Sequence, residues 1–81
     1  MDDKVILSAM QAGDKRAVLM FAKANMNLSK AARLAYISRQ SMWRRLNCVR
    51  RDTGFNPFDF YDLTRLVRAI EDERRMYDRM H

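Results

Sequence analysis

Gln40, Arg44, Asn47 and Arg51 fall on one side of a helical projection, and their side chains recognise hydrogen-bonding partners rather than make or break covalent bonds. A guanidinium such as Arg44 presents a rigid fork of N–H donors that matches the paired acceptors on a guanine edge. The amide of Gln40 donates and accepts together, which suits adenine, and Asn47 lies one turn further along the same face. Arg39 and Trp43 stand beside them, so the base-reading set expected from the sequence is Arg39, Gln40, Trp43, Arg44 and Asn47. A second set, Ser29, Lys30, Arg33, Ser38, Ser41, Arg45 and Arg51, has the hydroxyls and cations that hold phosphate oxygens. Arg45 has an alternative use, an ion pair with an acid such as Asp59 or Asp62. Trp43 likewise has one, as a partly buried packing residue.

The charge is concentrated where these residues are. Between Lys15 and Arg51 the chain carries ten lysines and arginines and no acid, although the net charge of all 81 residues is only +6. A partner bearing negative charge is implied.

Other chemistries lack their components. Cys48 is the single cysteine and His81 the single histidine, so neither a disulfide nor a zinc or haem set can be assembled, and no cofactor is expected. There is no paired nucleophile and base and no glycine-rich phosphate loop, so the chain is not expected to be an enzyme. No apolar run approaches the roughly 20 residues that span a bilayer. The basic stretch has no broad apolar stripe for lying on a membrane surface. A soluble, cytoplasmic protein is expected.

The elements that must position the recognition residues are helical. Two glycines and one proline leave few tight turns, while methionine, alanine, leucine and arginine favour helix, so an all-α fold of about five helices is expected. Asp3 is expected to cap a first helix carrying Val5, Ile6, Ala9 and Met10, with Gly13 as its left-handed stop. Asp14 then caps a second helix, with Ala17, Val18, Phe21 and Ala24 on one face. Ser29 caps a third over Lys30 to Ala35, and Ser38 a fourth over Arg39 to Thr53 that ends at Gly54. The fourth turns Met42, Leu46, Val49 and Thr53 inward. Asp59 opens a last helix with Phe60, Leu63, Leu66, Val67 and Ile70 inward. Beyond Ile70, Met76, Tyr77 and Met80 return at helical spacing after a polar stretch. Residues 1–26 thus support a pair of helices at 28–54, and residues 58–80 form a helix suited to pairing two copies.

From Leu28 to Leu46 the spacing is that of a helix-turn-helix: small Ala32 midway along one helix, apolar Ile37 closing the turn, and Met42 and Leu46 seating the second helix. Through Asn27, Ser29, Ala32, Tyr36, Ile37, Arg39, Gln40, Ser41, Met42, Arg45, Leu46, Val49, Thr53 and Gly54, the chain resembles the C-terminal DNA-binding domain of the PucR-like purine-catabolism and sugar-diacid regulators. It is similar, more distantly, to the factor-for-inversion-stimulation type. The resemblance covers a little under half the chain. It implies binding to promoter DNA, usually as a dimer, with the arginines of the family pattern falling on Arg39 and Arg45. Asp52 stands where that pattern has leucine, and Ala35 where it has a larger apolar residue. Family members carry a large sensing region ahead of this domain, whereas about 26 residues precede the matching segment here, so ligand-controlled transcription is not among the expectations.

Two functions follow as expectations. In one, the chain is a small transcriptional regulator, of the kind a phage or plasmid encodes, that binds double-stranded DNA as a homodimer and inserts the helix Arg39 to Thr53 into the major groove. In the other it is an adaptor or inhibitor whose basic face grips an acidic protein.

Overall fold

The computed structural model describes residues 2–80, with the backbone alone at Met80; His81 and the Met80 side chain lie outside the described residues. The expected all-α fold is found. Five helices follow one another: α1 (Asp3–Ser8), α2 (Ala12–Lys23), α3 (Leu28–Ala35), α4 (Arg39–Thr53) and α5 (Phe60–Met80). Helix α2 packs against α3, α4 and α5, and α1 rests on α5. The core is shared among all five, with Ile6, Val18, Phe21, Ala31, Met42, Leu46, Val49, Leu66 and Ile70 buried within it.

Helix α4 forms as its sequence dictates. Ser38 has extended backbone and its Oγ accepts a hydrogen bond from the Ser41 N–H at 3.0 Å, which satisfies one of the orphan amides of the first turn. Gly54, at φ +80°, closes the other end with its N–H donated to the Arg50 carbonyl. Met42, Leu46, Val49 and Thr53 are all buried, as the helical spacing requires. A side chain such as Leu46 gains about 2 kcal/mol from leaving water, so this stripe fixes which face of α4 remains outside.

Four expected helix starts and stops are corrected. Asp2, not Asp3, caps α1, while the Asp3 carboxylate pairs with Arg65 of α5 at 2.5 Å. Gly13 is no stop, since it lies within the first turn of α2 and α1 has already ended at Ser8. Asp14 is no cap, because Gln11 holds that position without a side-chain bond and Asp14 is the third helical residue. Asn27, not Ser29, caps α3 through its Oδ1, which accepts from the Lys30 N–H at 3.0 Å. Starting at Leu28 puts Leu28, Ala31, Ala32 and Ala35 along one core-facing stripe, which a start at Lys30 would forfeit.

Phe60, expected inside, is outside, 63 % exposed, and Val5 of α1 is exposed too. Phe60 is the first residue of α5, where no neighbouring helix covers it, and its ring packs edge-on against Tyr61. Asp59 does open α5 as expected, its Oδ2 accepting from the Asp62 N–H at 3.0 Å. The Phe55 to Phe58 connector is tied down by Asp62, which accepts from the Asn56 N–H, and by fully buried Pro57.

The turns on either side of α3 are left-handed without glycine. Asn25 and Met26 have φ 55° and 64°, and Tyr36 has φ 58°. Hydrogen bonds from the Met26 N–H to the Phe21 carbonyl (2.9 Å) and from the Ile37 N–H to the Ala32 carbonyl (3.0 Å) close the ends of α2 and α3. Past Ile70 no side chain of α5 through Arg79 is buried, and Met76 and Tyr77 are exposed.

Candidate nucleic-acid interface

Helices α3 and α4 are joined by the three residues Tyr36, Ile37 and Ser38. The left-handed Tyr36 lets the chain reverse while Ile37 turns back onto the core and Ser38 caps α4. This short turn places α3 and α4 next to each other, in contact.

Arg39, Gln40, Arg44 and Arg50 are exposed on α4, and Lys30 and Arg33 on α3. Ion pairs among the described residues engage Lys15, Arg45, Arg51, Arg65 and Arg75. Among those residues, Lys30, Arg33, Arg39, Arg44 and Arg50 have no intramolecular carboxylate partner. Five cations are therefore left uncompensated on two adjacent helices, where the side chains bear their full charge toward solvent.

The other expected site residues divide by how they are engaged. Trp43 is 53 % exposed, so half of its ring surface faces away from the core, between Arg39 and Arg50 on neighbouring turns. Asn47 turns its amide back onto its own helix, donating one of its two N–H groups from Nδ2 to the Trp43 carbonyl at 2.8 Å. Ser29 lies half-buried in the first turn of α3. Ser38 accepts from the Ser41 N–H and donates its own proton to Ser41 Oγ at 2.9 Å, which leaves the Ser41 hydroxyl proton as the one available to a ligand.

Arg45 pairs with neither Asp59 nor Asp62. Its Nη1 lies 3.5 Å from Oδ1 of Asp14 at the start of α2, whose carboxylate is largely buried. The guanidinium also lies directly over Gly13, with no space for a Cβ there. A side chain at that point would make the end of the arginine shift. Arg51 is bonded to its neighbour Asp52 at 2.9 Å. That hydrogen bond and the charge of Asp52 raise the Arg51 guanidinium above its ordinary pKa, with Cys48 and Asp14 adding in the same direction.

Two participants were not singled out from the sequence. Arg50 lies on the Trp43 flank, a placement its seven-residue spacing from Trp43 could have revealed. Gln11 reaches the α4 flank from another helix, and no local pattern signals that.

No helix among the described residues is long and apolar enough to cross a membrane. No protein-family model, curated protein or solved structure matches the chain.

Proposed function

We propose that this chain is a DNA-binding regulator in which α3, the Tyr36–Ser38 turn and α4 act as a helix-turn-helix, with α4 entering the major groove of double-stranded DNA. The observation that carries this reading is the set of five uncompensated cations on α3 and α4, flanking exposed Gln40 on a helix whose opposite face is locked into the core. A groove about 12 Å wide admits a helix, and the outermost residues of α4 are the ones that would meet base edges. Arg44 reads guanine through its paired donors and Gln40 reads adenine. Lys30, Arg33, Arg39 and Ser41 hold the flanking phosphates. The resemblance to PucR-like DNA-binding domains points the same way. It also supports pairing of two copies, for which exposed Met76 and Tyr77 on the overhanging end of α5 offer an adaptable apolar contact.

Selection of bound duplexes from a random pool, followed by anisotropy titrations across salt, tests this reading. Lys30, Arg33 and Arg39 on phosphates give a log–log salt slope of about −3. The double variant Gln40→Ala, Arg44→Ala is expected to lose the preference for the selected duplex, by about 1–3 kcal/mol for each base contact, while weak salt-sensitive binding remains. A pool that yields no preferred sequence, together with salt-sensitive binding to acidic polypeptides, would instead identify the exposed Tyr36 and Trp43 and their arginines as a grip on an acidic protein.

A further inference from the structure

A hollow of about 280 Å³ lies between the start of α2 and the outer flank of α4. Gln11, the cap of α2, and Asp14 line it on one side, and Ser41, Arg44, Arg45, Cys48 and Arg51 of α4 on the other. Three guanidiniums thus converge on one small concave space that contains a single carboxylate. That carboxylate is already engaged, since Asp14 holds Arg45 in place at 3.5 Å. Asp52 bonds Arg51 from the neighbouring position, and Arg44 has no carboxylate partner among the described residues.

The remaining lining is also composed of donors. The Ser41 Oγ accepts from Ser38, so its own proton is directed elsewhere. Gln11 adds a side-chain amide and Cys48 a thiol. A tetrahedral oxyanion matches such a set: guanidinium forks bind two of its oxygens at a time, and a hydroxyl and an amide take the rest.

We propose that this hollow binds one phosphate group. The phosphate comes either from the DNA backbone running past α4 or from a small phosphorylated molecule. Only the DNA source depends on the function proposed above.

Inorganic phosphate is the probe. Titration of the full chain at constant ionic strength, with chloride making up the balance, is followed by NMR of backbone amides and arginine Nε–H groups. Saturable shifts confined to Gln11, Asp14, Ser41, Arg44, Arg45, Cys48 and Arg51 are expected. The Arg44→Gln, Arg51→Gln variant should weaken phosphate at least about tenfold, since two charge-assisted contacts are removed. The Arg33→Gln, Arg39→Gln variant, with the same loss of charge elsewhere on the basic face, should retain the site. All four arginines are exposed, and the same spectra report whether each variant is folded. Shifts that chloride reproduces, shifts that fail to saturate, or equal weakening in both variants would overturn the proposal. A duplex arm then separates the sources. Displacement of phosphate by DNA assigns the hollow to the backbone, and simultaneous binding assigns it to a small phosphorylated molecule. Saturable phosphate binding without any duplex affinity would leave the hollow standing and remove the DNA reading.

Discussion

Replacing Asp14 by asparagine should move stability and DNA affinity in opposite directions. The carboxylate is 10 % exposed and lies 3.5 Å from an Arg45 guanidinium whose side chain is 43 % exposed. Coulomb's law at that separation gives about 5 kcal/mol with an effective dielectric constant near 20. Solvent around the half-exposed guanidinium screens most of it, leaving about 1 kcal/mol. Asp14 also sits in the first turn of α2, where a negative charge meets the positive end of the helix dipole for about 0.3–1 kcal/mol. Asparagine preserves the shape, so no cavity term enters. The total loss is about 1–2 kcal/mol, which for a domain of this size lowers Tm by about 5–15 °C. The freed Arg45 meanwhile adds a cation to the proposed DNA face. Duplex affinity at low salt should rise about 3- to 10-fold, with the salt slope steeper by about 0.9. Thermal unfolding followed by circular dichroism gives the first quantity, and anisotropy with a labelled duplex, recorded well below the Tm of the variant, gives the second. An unchanged Tm, or a lower Tm together with weaker duplex binding, would refute the reasoning.

Two further substitutions test the fold that presents the site. Asn27→Ala should cost about 1 kcal/mol by removing the cap of α3, whereas Ser29→Ala should change stability by less than about 0.5 kcal/mol; urea unfolding midpoints distinguish them. Leu46→Ala should cost about 2–5 kcal/mol, because Leu46 is fully buried beneath the outer face of α4 and its loss opens a cavity that the core only partly fills. If that variant unfolds with a wild-type midpoint in the same assay, α4 is not seated as described.

Helix α4 was legible in the sequence because every signal that defines it is local. Ser38 and Gly54 bracket it, and Met42, Leu46, Val49 and Thr53 repeat at helical spacing between them. The start of α3 was not, since Asn27 and Ser29 are both good caps two residues apart, and the decision rests on whether Leu28 is buried by another helix. Gly13 and Asp14 read locally as a stop and a cap, and nothing in their neighbourhood indicates that an arginine on α4 would occupy the space above one and bind the other. The candidate site shows the same division. Its cations were evident from composition, but which of them remain unpaired depends on where the folded chain places Asp14 and Asp52.

The brevity of α3 has a bearing on motion. A helix of 8 residues is well below the roughly 12–15 needed for stability by itself in water, and α3 is entered and left through the left-handed residues Asn25, Met26 and Tyr36, each of which raises the local energy by about 1 kcal/mol. Its inward stripe consists mostly of alanines, which gain little from burial. The segment of lowest local unfolding free energy next to the proposed interface is therefore α3, while α4 is held by larger side chains. Transient openings there release Lys30 and Arg33 together from a fixed orientation without disturbing Gln40 and Arg44, so in the proposed complex the contacts of α3 adjust faster than those of α4.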